Sequence, residues 1–261
     1  MAHKTLIGGI SYEISGGKTL VGSTAYSISG GKTLVGGTAY EVGFGTPIGD
    51  LAVGSSVYLK RTGVSVEFLV VHQGLPSSMY DSSCNGTWLL MKNILSLQKW
   101  DSTNNDYGNS DIKASLDSEF IYYNVNASIK RVKLPYNKSV APGGTVSSGA
   151  NGLSARLFLL SGYEVGWTTS TNKNFPVDGA CLSYFNGASV TDAKRIGYYN
   201  GTANNWWLRS PNGVKTSCTY AWYADASGSW GAYTVTNSYG VRPAMILPSG
   251  MLVDSNFNII P

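Results

Sequence analysis

Residues 206–211 read Trp-Trp-Leu-Arg-Ser-Pro, and residues 240–248 read Gly-Val-Arg-Pro-Ala-Met-Ile-Leu-Pro. Each stretch combines bulky apolar residues with one arginine and with proline, whose ring fixes the backbone φ angle. A guanidinium carries several hydrogen-bond donors and can brace neighbouring loops. Arg209 and Arg242 should therefore be at least half buried and hydrogen-bonded. The predicted scaffold residues are Trp206, Trp207, Arg209, Trp222 and Arg242.

The segment between these stretches, residues 212–238, mixes tyrosine and tryptophan with Ser, Thr, Gly, Ala and Asn. Rigid aromatic side chains among small polar residues are typical of antibody-like binding surfaces, although a β-sheet core also collects aromatic residues. Because residues 206–211 and 240–248 on either side are predicted to be rigid, a recognition surface is favoured. The predicted ligand-binding residues are Asn212, Val214, Thr216, Ser217, Tyr220, Tyr223, Trp230, Ala232, Tyr233 and Thr236.

Such a surface requires a particular geometry. Successive residues of a strand point to opposite sides, so only alternate positions and loops can share one face. We expect the candidate residues to converge on one exposed face, with Trp222 and Tyr239 pointing inward as support.

The rest of the globular part predicts both helices and strands. Residues 64–72 are rich in β-branched residues and predict a strand, and residues 157–160 predict a short one. Residues 87–98 place apolar residues at i, i+4 and i+7, which indicates a helix, and a second helix is predicted from Ser110 to about Ile121. Two helices followed by irregular β-structure indicate an α+β domain over residues 47–261.

The N-terminal part is repetitive. Three 14-residue units begin at Lys4, Lys18 and Lys32, and each holds two short apolar or aromatic runs separated by small residues. We predict short strands and tight turns over residues 1–46, because glycine enters positive φ without steric cost. One unit is too small to bury a core, so the units should stack on each other or on other copies, which favours a trimer or another homo-oligomer. A flexible linker is the alternative.

Several classes of function are disfavoured. The net charge of +4 comes from scattered Lys and Arg residues, so no nucleic-acid partner is expected. The chain lacks a signal peptide pattern and an apolar stretch long enough for a membrane span. We therefore expect synthesis in the cytoplasm and no membrane insertion. The widely spaced Cys84, Cys181 and Cys218 suggest free thiols, with at most one disulfide.

The sequence gives little support to catalysis. Only His3 and His72 are present, and His72 ends a predicted buried strand, where a structural role is the usual one. The sequences ending in Gly17-Lys18-Thr19 and Gly31-Lys32-Thr33 lack the first glycine of a phosphate-binding loop. We predict no catalytic residue, no cofactor and no metal ligand.

Several motifs of this chain together resemble those of a known family. WWLRSP (206–211) and GVRPAMILP (240–248), with FLVVHQG (68–74), GTWLLMKN (86–93) and FPVDGA (175–180), resemble the C-type-lectin-like domain of bacterial and prophage proteins. The segment 147–167 is similar to the same family. The resemblance covers roughly residues 50–250 and implies a C-type-lectin-like domain preceded by a short all-β repeat segment.

This resemblance implies a function. Members are often the variable proteins of diversity-generating retroelements, which randomise codons near the C-terminus, and residues 212–238 correspond to that variable face. The repeats resemble those of phage tail-associated proteins, which implies a virion location and contacts with other tail proteins through residues 1–46. The implied function is recognition of a cell-surface protein or glycan receptor.

Two departures limit what the resemblance implies. The Glu-Pro-Asn, Gln-Pro-Asp and Trp-Asn-Asp triplets of calcium-dependent sugar-binding lectins are absent, so neither calcium nor a sugar is implied. The paired reactive cysteines of sulfatase-activating enzymes are also missing. The alternatives are a structural virion protein of the tail tip or decoration, and an accessory to a cell-wall-acting enzyme.

Overall fold

The computed structural model describes the chain in several ranges. Between residues 3 and 42 it describes the backbone of the strands alone. Further along the chain, the described residues are 45–138, 145–172, 174–187, 191–213 and 219–261.

The N-terminal repeats form three antiparallel strand pairs, one in each unit. Their strands are β1 (His3–Ile7), β2 (Ile10–Ile14), β3 (Lys18–Val21), β4 (Thr24–Ser27), β5 (Gly31–Val35) and β6 (Thr38–Val42). In each pair the strands of one unit bond to each other, as Thr5 opposite Tyr12 illustrates. The prediction of short strands over residues 1–46 is confirmed for these six segments.

The remainder is built from short strands joined by turns and 3-10 helices. The strands are β7 (Thr46–Pro47), β8 (Ser56–Arg61), β9 (Val64–Gly74), β10 (Gly86–Met91), β11 (Ser96–Lys99), β12 (Val132–Leu134), β13 (Tyr136–Asn137), β14 (Val146–Ser147), β15 (Leu153–Ala155), β16 (Leu157–Phe158), β17 (Gly197–Tyr199), β18 (Thr202–Asn204), β19 (Trp206–Pro211), β20 (Tyr220–Ala224), β21 (Trp230–Thr234), β22 (Ser238–Val241), β23 (Ala244–Leu247) and β24 (Leu252–Val253). The helix α1 spans Asp111–Glu119, and the 3-10 helices span Ile48–Asp50, Ser82–Cys84, Tyr107–Asn109, Phe120–Tyr122, Gly149–Asn151, Ser183–Phe185 and Asp192–Arg195.

Two five-stranded sheets organise this part of the molecule. One has the order β16-β23-β10-β9-β8, and the other has the order β11-β22-β19-β20-β21. Successive residues of a strand enter different hydrophobic clusters: Leu89 belongs to one and Leu90 to the other, and Ala221 and Trp222 are divided in the same way. The central strands are therefore covered on both faces, which places all of β19 out of contact with water.

The predicted α+β, C-type-lectin-like fold class is wrong for this protein. Strands account for 38% of the structure and helical residues for 15%, and the sheets are small and open. The described residues contain one α-helix, Asp111–Glu119, which continues as the 3-10 turn Phe120–Tyr122. The architecture is therefore mostly β.

The largest single error concerns residues 87–98. They form β10, a bent connection over residues 92–95, and β11 instead of a helix. Every residue of β10 is buried because both its faces are covered, so the polar alternation that indicates a half-buried strand is missing. An apolar run of this kind matches a helical stripe as well as a strand, and pairing with β9 and β23 decides the outcome.

The second predicted helix is confirmed. Ser110 caps α1, since its hydroxyl oxygen accepts a hydrogen bond from the Lys113 amide at 3.2 Å. Ile112 and Leu116 are buried, whereas Phe120 lies past the helix end and is half buried. Among the described residues, no helix is long and apolar enough to cross a membrane.

Candidate functional site

The predicted recognition segment contains a β-hairpin made of β20 and β21. Trp222 lies opposite Ala232 and Tyr223 lies opposite Gly231. Because partners in a ladder share a face, the side chains of Trp222 and Tyr223 point to opposite sides of the sheet. The hairpin therefore has two sides, which we call the tryptophan side and the tyrosine side.

The tryptophan side carries a stack of four aromatic rings. The ring of Phe175 stacks on that of Trp222 at a centroid distance of 4.1 Å, and Trp230 meets Trp222 edge-on at 5.7 Å. Trp167 extends the stack by packing on Phe175 at 5.9 Å. Trp222 is 2% exposed and Trp230 is 38% exposed, so the stack runs from the core to the surface. Aromatic pairs in such offset and edge-on geometries stabilise a core beyond the area that they bury.

The cover on this side comes from residues 161–172 and 174–178, and Arg209 anchors it. The guanidinium forms a bidentate ion pair with Glu164 and also donates to the Asp178 carbonyl oxygen at 2.8 Å. Both side chains of this ion pair are fully buried. A buried guanidinium requires such partners, because an unpaired charge in the interior costs several kcal/mol.

Two further hydrogen bonds of this cluster are accepted by Glu164. Its carboxylate accepts from the Tyr80 hydroxyl at 2.7 Å and from the Ser161 amide at 3.0 Å. Burial alone would lower the pKa of Arg209, but the charge and hydrogen bonds of Glu164 outweigh it and raise that pKa. Arg209 therefore keeps its positive charge, and its two hydrogen bonds to Glu164 hold it in one geometry.

Asp178 is the second buried carboxyl group of the cluster. Its oxygens accept from the Ser210 hydroxyl at 2.8 and 3.1 Å, and its side chain has no ion pair with the guanidinium of Arg209. Burial raises the pKa of Asp178 to about 7, against the opposing charge of Arg209. This carboxyl group consequently changes its protonation near neutral pH.

Arg242 is buried in a different environment. Its Nε donates to the Met91 carbonyl oxygen at 2.9 Å, and its guanidinium lies 5.0 Å from the ring centroid of Trp206. Burial lowers the pKa of Arg242 to about 10. Both arginines are buried and hydrogen-bonded, as expected from the sequence, but only Arg209 has a carboxylate partner.

The tyrosine side carries three partly exposed rings over a buried one. Trp207 is fully buried and packs against Tyr239 at 4.7 Å and against Tyr223 at 6.1 Å. Tyr239 also contacts Tyr223 at 4.8 Å and Tyr233 at 6.1 Å. The Tyr223 ring covers Gly231, where any Cβ atom would overlap it. Tyr233 is 46% exposed and forms the outer end of this row.

The prediction of a single recognition face is wrong. Tyr223 and Tyr233 lie on the tyrosine side with Tyr239, whereas Trp230 and Ala232 lie on the tryptophan side with Trp222. The physical reason is the strand register, which sends neighbouring residues to opposite faces.

The other predicted positions differ in their surroundings. Asn212 is 7% exposed and its carbonyl oxygen accepts from the Asn105 amide, so it is a framework residue and not a surface one. Tyr220 is half buried opposite Thr234, and Thr236 is exposed just after β21. The positions Val214, Thr216 and Ser217 lie outside the described residues.

The predicted scaffold residues Trp206, Trp207 and Trp222 are all buried. Sequence reasoning missed Glu164, Asp178 and Phe175, which hold the cover of the tryptophan side. A buried arginine does signal that a carboxylate is needed, but it does not say which of the 15 acidic residues supplies it.

In the described part of the chain, the histidine and cysteine side chains lack the partners that such side chains have in catalytic sites. His72 Nδ1 lies 2.8 Å from the Ser183 hydroxyl, and no carboxylate of the described residues hydrogen-bonds to either side chain. Cys84 and Cys181 are free thiols, and burial raises the pKa of Cys84 to about 11. No group of His, Cys, Asp and Glu within the described ranges has the proximity that a metal ion needs.

Comparison with known proteins places this architecture in a family. Residues 85–249 match the family model described as "Domain of unknown function (DUF6273)". The match covers more than half of the chain and includes the hairpin, Arg209 and Arg242, whereas the N-terminal repeats lie outside it. No curated protein and no solved structure matches this chain.

Proposed function

We propose that this chain, which belongs to the DUF6273 family, is a non-catalytic binding protein that recognises a macromolecular partner through the tyrosine side of its β20–β21 hairpin. The observation that carries the proposal is the row of Tyr223, Tyr239 and Tyr233 over the buried Trp207. An exposed aromatic cluster is uncommon on a protein that binds nothing.

The row has the properties of a binding surface. The Trp207 ring beneath the row is fully buried, and the strands that carry the tyrosines belong to a five-stranded sheet. The tyrosines are therefore held in fixed positions. Rigid aromatic anchors lose little conformational entropy when a partner covers them. Burial raises the pKa of Tyr223, so its phenol remains a neutral hydrogen-bond donor at physiological pH. These properties suit an uncharged, partly apolar surface on a cell-surface protein or glycan.

Attachment of the protein to a phage or prophage tail is part of the same proposal. Three strand pairs precede the globular part, and two-stranded units of this size gain stability from packing on further copies or on other proteins. We propose that residues 1–46 supply this attachment. Diversification of residues 212–238 by a retroelement would adapt the binding surface.

A structural virion component is the second candidate. The division of the aromatic residues between two sides favours it, because Trp222 is buried in the interior and Trp230 lies on the side opposite to Tyr223 and Tyr233. Sequencing many copies of the gene from one population separates the candidates. Variation confined to residues 212–238 supports recognition, and uniformity supports a structural role.

The direct test is binding of the fluorescently labelled full chain to intact cells from a panel of bacterial strains. For a strain that binds the protein, Tyr233→Ala should weaken binding about tenfold or more, because Tyr233 is the most exposed ring of the row and an aromatic anchor contributes at least about 1.4 kcal/mol to binding. The matched control is Tyr198→Ala. Tyr198 is 44% exposed, close to the 46% of Tyr233, and lies outside the hairpin in β17.

Equal binding by the two variants contradicts the proposal, as does the absence of binding to every strain in the panel. If Tyr233→Ala instead stops the assembly of tail particles while cell binding is unchanged, the structural candidate is correct.

A further inference from the structure

The tyrosine side of the sheet continues into a cleft between β11 and α1. In the ladder of β11 and β22, Gln98 lies opposite Tyr239, so both side chains point to the tyrosine side. Gln98 also lines a cleft of about 170 Å³, together with Arg61, Leu95, Ser96, Ser115, Leu116, Glu119 and Val241. Pockets that hold drug-sized ligands start at roughly 300 Å³. The cleft therefore has room for one small ring.

The floor of the cleft is apolar and its walls are polar. Leu116 and Val241 are buried and belong to the same hydrophobic cluster as Trp207. The Ser115 hydroxyl and the Gln98 amide stand beside them, and both side chains are partly exposed. An apolar floor with a few fixed polar groups is the usual composition of a site for a small molecule.

An ion pair supplies the other polar wall. The Nε of Arg61 donates to Oε1 of Glu119, and these side chains are 30% and 13% exposed. Among the described residues, no group bonds to the two terminal nitrogens of Arg61 or to Oε2 of Glu119. The pair thus offers a ligand both a donor and an acceptor.

The charges of Arg61 and Glu119 oppose each other, so the wall favours neither an anion nor a cation. A hydroxyl group both donates and accepts hydrogen bonds. Neighbouring hydroxyls on one uncharged ring can therefore bond to the guanidinium and to the carboxylate together. A neutral sugar ring has this arrangement of hydroxyls and an apolar face for the floor.

The tyrosine row begins beside the cleft. The Cβ atoms of opposed residues such as Gln98 and Tyr239 lie about 5 Å apart in an antiparallel ladder. Tyr223 and Tyr233 follow at ring distances of 4.8 and 6.1 Å from Tyr239. The face of an aromatic ring is partly negative and attracts the C–H groups of a sugar. Successive rings of one glycan chain can therefore reach from the cleft onto the row.

We propose that the cleft between β11 and α1 binds one uncharged sugar ring of a glycan whose next rings pack on Tyr239 and Tyr233. The inference rests on the proposed function in one respect, since it names a glycan as the partner of the tyrosine row. Binding of a single sugar in the cleft stands independently of the row.

Titration of the isotope-labelled full chain with neutral monosaccharides tests the cleft directly by nuclear magnetic resonance. The probes are glucose, galactose, mannose, rhamnose and N-acetylglucosamine, each up to about 100 mM, because one ring with few contacts binds weakly. At least one sugar should shift the Gln98 side-chain amide and the Ser115 backbone amide in a saturable way. The absence of a saturable shift with all five sugars would overturn the proposal.

Ser115→Leu is the variant that fills the cleft, and Ser118→Leu is its matched control. Both change a serine of α1 to leucine, but Ser118 is exposed and does not line the cleft. We expect Ser115→Leu to weaken sugar binding at least about tenfold and Ser118→Leu to leave it unchanged. If Ser115→Leu impairs folding, Gln98→Ala removes the amide beside Tyr239 and should weaken binding in the same direction. Equal shifts in the wild type and in Ser115→Leu would place the sugar elsewhere and contradict the proposal.

Cell binding separates this inference from the recognition function. Mild periodate cleaves the vicinal diols of sugars, so periodate-treated cells of a bound strain should lose binding, whereas protease-treated cells should keep it. The reverse result would make the partner a protein, which overturns the glycan and leaves recognition intact. Normal binding by Ser115→Leu with weak binding by Tyr233→Ala would exclude the cleft alone. Saturable sugar shifts without binding to any strain would support the cleft and contradict the recognition function.

Discussion

The two sides of the β20–β21 hairpin belong to the same ten residues of strand but differ in what lies over them. Residues 161–172 and 174–178 cover the tryptophan side and bring Phe175 onto Trp222. The tyrosine side is backed by Trp207 and has no such cover at Tyr233, which is 46% exposed. The parity of an aromatic residue in the strand therefore decides on which side of the hairpin it lies, and the covering chain decides how far it is buried there. Composition alone does not distinguish the two.

The first and largest effect should come from the anchor of the cover. Glu164→Ala leaves the buried Arg209 guanidinium without its carboxylate, so the free energy of unfolding should fall by about 3–5 kcal/mol. Denaturant unfolding measures it, and tryptophan fluorescence should shift to the red as the cover loosens over Trp222. The control is Glu119→Ala, which breaks the partly exposed ion pair with Arg61 and should cost less than about 1 kcal/mol. Equal losses would show that the cover does not depend on Arg209.

A pH dependence of stability should follow from Asp178. Its pKa of about 7 in the folded protein lies above the 3.8 of an unperturbed carboxyl group, so the folded state holds a proton that the unfolded state has released. This contribution to stability is complete below about pH 4 and is lost as the pH rises through 7, with a total of at most about 4 kcal/mol. Denaturant unfolding between pH 4 and 8 measures it. Asp178→Asn should remove most of this slope, and an unchanged slope would refute the assignment.

Truncation of the hairpin's own tryptophans should separate core from surface. Trp222→Ala should lower the free energy of unfolding by about 3 kcal/mol, because a 2% exposed indole leaves a cavity beside Phe175. Trp230→Ala should cost less, about 1 kcal/mol, since this ring is 38% exposed. Thermal unfolding of the two variants gives the comparison. A larger loss for Trp230 would mean that the stack is supported from its outer end.

The smallest effect on stability should come from the tyrosine side. Tyr233→Ala should change the free energy of unfolding by less than about 1 kcal/mol, because its ring is largely in solvent and its backbone bonds to β20 remain. In thermal unfolding, the melting temperature of this variant should be close to that of the Tyr198→Ala control. A loss similar to that of Trp222→Ala would make Tyr233 a core residue and remove the distinction between the two sides.

Local patterns in the sequence were sufficient for several elements. The Ser110 cap and the spacing of Ile112 and Leu116 predict α1, because a cap and a helical stripe are local features. Residues 87–98 show the limit of the same reasoning. Their apolar spacing suits a helix, yet β9 and β23 cover both edges of β10, and ladder pairing over long sequence distances overrides the local pattern.

The sequence by itself determined that Arg209 and Arg242 are buried, that each N-terminal repeat contains two short strands, and that the region 212–238 concentrates aromatic residues between rigid flanks. These conclusions depend on residue chemistry and local spacing alone. Only the tertiary structure decided that Glu164 is the partner of Arg209, 45 positions away in the chain, and that the aromatic residues divide between two sides. The reason is physical: the partner of a buried charge and the cover of a strand come from whichever distant segment packs there, and no local pattern records that choice.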